Sequence, residues 1–252
     1  MLSRGPLPRA RDRAGASDSS IEALLLAEAT APYRRAGPFA YFFARGKFKT
    51  DPIYRALLER GLLSGRSRIL DLGCGQALLA VWLRAAARLS ERGTWPPSWP
   101  EAPRPAVTHG IELLARDVER ARIALGEDAD LVMGDIRRTP FGAADAVVVL
   151  DVLHYINGDA QREVLERVRR ALPVRGLLLL RVADADAGMR YWYTRWVDRV
   201  AMLSRGHFFV SPHCRSLEEW QTLLGNCGFD SEVQPMSAGT PFANFLLIAH
   251  AR

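Results

Sequence analysis

The stretch Arg68-Ile69-Leu70-Asp71-Leu72-Gly73-Cys74-Gly75-Gln76-Ala77-Leu78-Leu79-Ala80 restricts what this chain can fold into more than any other. Its short apolar run, Ile69 to Leu72, reads as a buried parallel strand. Two glycines spaced one apart end the strand, and an apolar, helix-forming run follows as far as Leu89. Glycine is what a chain needs where a strand turns sharply into a helix and the backbone must approach a ligand with no Cβ in between. A strand, a tight glycine turn and a helix N-terminus therefore predict a site for a nucleotide-type cofactor.

The size of the chain fits such a domain. Its 252 residues, 48% of them apolar, can bury one full core with extensions. A net charge of +6 and a pI near 9.6 would admit a nucleic-acid partner. The distribution of charge argues against one. Lys47 and Lys49 are the only lysines, and the arginines are dispersed beside acidic residues at helical spacing, as in Glu163, Glu166, Arg167, Arg169 and Arg170. Those are solvated helix faces. Cys74, Cys214 and Cys227 fall in no metal-ligand spacing and no disulfide framework, so a reducing cytoplasm is the expected compartment and no metal is expected. No apolar run approaches the roughly 20 residues of a membrane span. Residues 1–20, rich in Arg, Ala and Ser without an apolar core, read as a disordered tail rather than a secretory signal.

The spacing of small residues separates the candidate cofactors. The dinucleotide pattern G-x-G-x-x-G/A would put its third small residue at Leu78, which is too bulky. The pattern actually present is Asp71, Gly73, Gly75 and Ala77. It resembles motif I of the class I S-adenosylmethionine-dependent methyltransferases, D-x-G-x-G-x-G, with alanine in place of the last glycine. The resemblance covers residues 68–184 by motif and the remainder by order of elements. It implies that Asp71 lies near the methionine end of S-adenosyl-L-methionine, with Gly73, Cys74 and Gly75 beneath it.

The later strands supply further contacts. Val107–Glu112 ends in a carboxylate at the place of a ribose-hydroxyl acceptor. Glu112 lies 37 positions beyond Gly75. That spacing fits only if residues 91–105, with five prolines and two tryptophans, are a surface loop inserted before the strand. Glu112 could also simply cap the helix running from Leu114 to Leu125. Asp130 to Asp135 reads as a third strand. By resemblance Asp135 accepts from the adenine amino group, while Ile136, like Leu113 after Glu112, packs near the adenosyl moiety. Ala146 to Leu150 is a fourth strand, ended by Asp151, a further candidate cofactor residue.

The turn Asp151-Val-Leu-His154-Tyr155-Ile156 differs from the Asn/Asp-Pro-Pro-aromatic tetrapeptide of methyltransferases acting on DNA amino groups. It resembles the small-molecule enzymes, in which this turn lies between cofactor and acceptor. His154 is accordingly the candidate catalytic residue. Tyr41, Tyr155, Tyr191, His207 and His213 are candidate acceptor contacts, and an apolar or aromatic acceptor is expected.

The expected architecture is α/β: a Rossmann-like doubly wound sheet of about seven strands, mostly parallel with an antiparallel last strand, and helices on both faces. Residues 21–65 form an N-terminal helical cap, in which Asp51 and Pro52 open a helix. Residues 66–252 form the methyltransferase domain, and residues 185–215 its acceptor cover. Ser216 and Glu219 make a capping box for a helix reaching Asn226. Residues 231–236 and 244–251 are the closing strands. Two other readings remain open. One is a non-catalytic S-adenosylmethionine-binding or scaffold protein, to which Ala77 points; the other is a nucleic-acid methyltransferase.

Overall fold

The architecture is a seven-stranded mixed sheet wrapped by helices, as a computed structural model that describes residues 18–184, 213–237 and 244–252 shows it. Three N-terminal helices come first: α1 (Asp18–Thr30), α2 (Pro38–Thr50) and α3 (Pro52–Glu59), with a 3₁₀ turn (Ala31–Arg34) between α1 and α2. Strand and helix then alternate through β1 (Arg68–Leu72), α4 (Leu78–Glu91), β2 (Val107–Glu112), α5 (Ala115–Leu125), β3 (Leu131–Met133), β4 (Ala146–Leu150), α6 (Gly158–Ala171) and β5 (Leu177–Ala183). Beyond residue 212 come α7 (Leu217–Asn226), β6 (Phe229–Pro235) and β7 (Asn244–Ala251).

The strand order is β3-β2-β1-β4-β5-β7-β6, with β7 antiparallel to both neighbours and β1 to β5 parallel. Successive strands β1 to β3 run outward on one side, and β4 returns to the other side of β1. The sheet therefore has its topological switch point beside β1, where ligands of open α/β sheets bind. Register brings Leu72 level with Ile111 and Val149, Glu112 level with Met133, and Leu150 level with Arg181. The carboxyl ends of the five parallel strands thus share one edge.

Alternation along the strands divides the core into two layers, because successive side chains point to opposite faces. Ile69, Ala146, Val148, Leu177 and Leu179 pack beneath the N-terminal helices, α4 and α5. Leu70, Leu72, Val147, Val149, Leu178 and Leu180 pack against α6 and α7. The capping box at Ser216 and Glu219 is present, as is the cap at Asp51, whose side chain accepts from the Ile53 N–H at 3.2 Å.

Local boundaries are set by proline, glycine and pairing. α1 ends at Thr30, and Pro32 lies in the 3₁₀ turn that follows, a position its fixed φ suits; the turn buries Tyr33. α3 stops at Glu59, and beyond it Gly61 adopts φ +60°, where a Cβ would lie 2.7 Å from Pro100. β3 is only three residues long, although Asp130 and Gly134 still bond to β2 on either side. Residues 91–105 hold no helix or strand after the end of α4. In that loop Trp95 and Trp99 meet edge to face at 5.4 Å and pack on the core under the N-terminal helices.

Candidate active site

The glycine turn after β1 is built as its sequence requires. Gly73 has φ +71°, and a Cβ there would lie 2.4 Å from Val152 in the turn after β4. Only glycine can hold this position, and its fit against Val152 fixes the two turns together. Gly75 has φ +55° and nothing within 4 Å of where its Cβ would be, so open space lies above the backbone at that point. Ala77 is left-handed too, at φ 59°. Alanine here keeps the conformation that glycine would adopt, at a steric cost of roughly 1–2 kcal/mol. Cys74 is buried, and its sulfur fills the space beside Gly110, whose Cβ would approach it to 2.7 Å.

Glu112 caps the start of α5 and also holds the glycine turn. One carboxylate oxygen accepts from the Gly75 N–H at 2.9 Å, and the other accepts from the Leu114 N–H at 2.8 Å at the start of α5. It therefore welds the glycine turn to the next strand–helix turn. Asp71 lies beside it. Burial, with the charge of Glu112 as a second cause, pushes the Asp71 carboxyl up to about 7. The same causes act on Cys74, whose thiol is driven well up by burial and then by Asp71 and Glu112. Such a carboxyl sits in an environment that favours an incoming cation. In the same turn the buried Gln76 Oε1 has no hydrogen-bond partner among the described residues, an acceptor left over for a ligand.

Asp135 reaches the same edge from β3, but its carboxylate is held locally. It receives the Arg137 backbone N–H at 2.9 Å and a two-pronged ion pair from the Arg137 guanidinium. That pair holds it below the ordinary carboxylate range, the bond itself being the largest cause. Ile136 is buried, its carbonyl accepting from Arg167 at 2.6 Å, whereas Leu113 and Met133 are exposed at the strand ends. An apolar pair exposed beside two carboxylates fits a purine face.

Asp151 is placed differently from the other acids. It is left-handed at φ 59°, and its carboxylate is clasped by Arg181 of β5 through Nε (2.9 Å) and Nη2. The remaining guanidinium nitrogen pairs with Asp51, which Lys47 also holds at 2.9 Å. Burial works against charge on Arg181, but Asp151 and Asp51 more than offset it and raise the group above its ordinary value. Burial would likewise raise Asp51, yet Arg181 and Lys47 hold it well below the usual range. This cluster joins the N-terminal helices to the edge of the sheet.

His154 is buried in the 3₁₀ turn after β4 (Leu153–Tyr155), its ring 4.0 Å from that of Tyr155. Burial pushes its imidazole down to about 4, with the charge of Asp151 acting weakly the other way. His213 is exposed but adjacent, since its N–H donates to the His154 carbonyl at 2.8 Å. Tyr41 is half-buried on α2, with Arg34 over its ring and Phe42 edge-on at 5.3 Å. Tyr191 and His207, like most of the 185–215 cover and residues 1–17, lie outside the described residues.

Two tyrosines escaped the sequence reading. The buried Tyr33 hydroxyl donates to the Gln76 carbonyl at 2.8 Å, so the N-terminal 3₁₀ turn is tied directly to the glycine turn. Tyr54 on α3 packs in a buried aromatic cluster with Phe48 and Trp82, and its carbonyl accepts from the Trp82 indole N–H at 2.9 Å. Nothing local to Tyr33 marks it. Arg181 did carry a signal, because a charge inside the apolar run Leu177–Ala183 must find a carboxylate.

Residues 43–232 match the sequence family described as Methyltransferase domain. Carboxy-S-adenosyl-L-methionine synthase of Chromohalobacter salexigens is 34% identical over 129 residues, which is 49% of this chain and 42% of that protein. The chain thus matches less than half the length of this curated relative. Magnesium protoporphyrin IX methyltransferase of Synechocystis PCC 6803, solved with bound S-adenosylhomocysteine, superposes with TM-score 0.55 at 17% identity, covering 94% of this chain and all of that one. An O-methyltransferase family 2 protein of Planctomyces limnophilus, in complex with apigenin, gives 0.55 at 18% identity, covering 91% and 65% respectively.

Proposed function

The chain belongs to the methyltransferase-domain family of class I S-adenosylmethionine-dependent enzymes, and from that premise we propose that it transfers a methyl group to a small, apolar or aromatic acceptor. The observation that carries the cofactor half of this reading is the arrangement around Gly75. Open space lies above the turn, Glu112 holds its N–H, and the buried Asp71 carboxyl is raised to about 7 beside it. These residues fit an adenosyl ligand with a cationic amino acid end.

In this reading Asp71 ionises against the ligand's ammonium group, and Glu112 offers its remaining lone pairs to the ribose hydroxyls. Asp135 takes the exocyclic amino group while Leu113, Met133 and Ile136 contact the ring. S-adenosylmethionine supplies, when bound, a methyl group on a sulfonium that is already activated. What remains for the protein is to align the acceptor, exclude water and accommodate its proton. His154 is the residue proposed for that place. A buried imidazole held near 4 is neutral at pH 7, so it accepts a hydrogen bond from the acceptor and orients it better than it stores a proton. Asp151, committed to Arg181, acts by fixing the turn rather than by touching the cofactor. Tyr155, His213 and Tyr41 are proposed acceptor-side groups, together with Tyr191 and His207.

The acceptor class is supported by the exposed aromatics Phe39 and Phe42 on α2 and by the aromatic content of residues 191–196. A protein of the same fold binds apigenin. Calorimetry with S-adenosylmethionine and S-adenosylhomocysteine tests the cofactor half: both bind a catalyst, whereas a decayed scaffold binds neither. A mass-spectrometric screen for products heavier by one methylene unit tests the transfer. His154→Ala should then lower turnover at least tenfold; an unchanged rate and KM would remove His154 from the site. Methylation of RNA or DNA with steeply salt-dependent binding would replace the small-molecule reading.

A further inference from the structure

Gln161 is fully buried on α6, and its side-chain amide is engaged on both ends. Nε2 donates toward three carbonyls, those of Leu153 (3.1 Å), Ile156 (3.2 Å) and His213 (2.8 Å). Oε1 accepts from Arg215 Nε at 2.7 Å, and Arg215 also reaches the Gly158 carbonyl at 3.3 Å. With acceptors around the nitrogen and a donor at the oxygen, the amide has one orientation only. Leu153 and Ile156 bracket His154 in the turn after β4. His213 and Arg215 belong to the segment that directly follows residues 185–212. The two stretches also meet through the His213 N–H and the His154 carbonyl at 2.8 Å.

We infer that Gln161 is a positioning residue, locking the turn that carries His154 to residues 213–216 so that the acceptor-side turn and this segment move as one. Two buried amide hydrogens divided among three carbonyls leave no slack, and loss of the amide takes a donor from all three at once, leaving the Leu153 carbonyl only the Ile156 N–H at 3.2 Å. An apolar side chain of the same length would fill the space but leave the two stretches joined by the His213 N–H and the His154 carbonyl, with no tie through Gln161. The inference rests on the methyl-transfer reading of this edge only in its kinetic consequence; the lock itself is read from the bonds.

The test uses the full chain as wild type, Gln161→Met and Arg215→Met. The last removes the donor to Oε1 together with the bond to the Gly158 carbonyl, from a half-buried position, and leaves the Gln161 amide nitrogen among its three carbonyls. Amide hydrogen exchange should quicken at least tenfold at Ile156 and His213 in Gln161→Met, and by a smaller factor in Arg215→Met. Affinity for S-adenosylhomocysteine and KM for S-adenosylmethionine should stay within about twofold, because the cofactor edge at β1 and β2 is untouched. With the acceptor from the product screen, kcat should fall tenfold or more for Gln161→Met. Unchanged exchange at both amides in folded variants overturns the proposal, and so does faster exchange with unaltered kcat. Should Gln161→Met fail to fold, Arg215→Met decides by the same two criteria. A wild type that binds no S-adenosylhomocysteine sinks the methyl-transfer reading instead, and the exchange rates alone then judge the lock.

Discussion

Asp71 shows how much one carboxyl can report. Its folded value, about 7, lies above its ordinary 3.8. Its contribution to stability is therefore present below the unfolded value and fades as pH rises through about 7, where the buried group must ionise. The melting temperature of the ligand-free protein should fall between pH 5 and 8 in the wild type, and less so in Asp71→Asn. Affinity for S-adenosylhomocysteine should run the opposite way, weakening below pH 7 as Asp71 takes up its proton; Asp71→Asn should cost tenfold or more and flatten that profile. Ala77 makes a second residue-scale case. Its left-handed φ penalises a Cβ by about 1–2 kcal/mol, partly offset by the unfolded-state entropy that glycine would add. Ala77→Gly should thus be neutral or stabilising by up to about 1 kcal/mol in urea unfolding, and a clear loss would mean the methyl group packs better than its backbone strain suggests. The turn at Gly73 and Gly75 was legible in the sequence because backbone geometry constrains it locally. The bond from the Gly75 N–H to Glu112 was not, since along the sequence the residue reads as ribose acceptor or helix cap and nothing marks it as a tie to the glycine turn.

At the scale of elements, β5 departs from the pattern of its neighbours. Four leucines and then Arg181 form a buried strand whose charge is balanced by Asp151 from β4 and Asp51 from the start of α3. Removing one partner of a buried ion cluster leaves charges without compensation, commonly about 3–5 kcal/mol. Arg181→Met should destabilise by that order in chemical denaturation, and adding Asp51→Asn and Asp151→Asn to it should recover part of the loss. Equal stability of the single variant and the wild type would show the cluster to be solvated. The helices and parallel strands themselves were largely predictable, to within a few residues, from period and caps. A boundary that moved is local: the strand read over residues 130–135 shrinks to three residues at the sheet's edge.

At the scale of the whole molecule, polar links fasten the N-terminal helices to the rest of the fold. Among them are Tyr33 to the glycine turn, Asp51 to Arg181 of β5, and, to α4, Tyr54 with Trp82 and Glu28 with Arg88 and Arg92. The first bears directly on the cofactor edge. Tyr33→Phe deletes only a buried hydroxyl, and should lower stability by about 1 kcal/mol while loosening S-adenosylhomocysteine binding severalfold. An affinity that does not change would confine Tyr33 to packing. The sequence alone determined the order of strands and helices, the glycine turn and the kind of ligand it suits, because period, turn residues and motif spacing act over a few residues at a time. Tertiary structure alone decided that Asp151 faces Arg181, that Tyr33 reaches Gln76 from 43 residues away, and that Gln161 joins two distant stretches. Those outcomes depend on which buried groups find one another once the core has closed, and no short-range pattern encodes such a meeting.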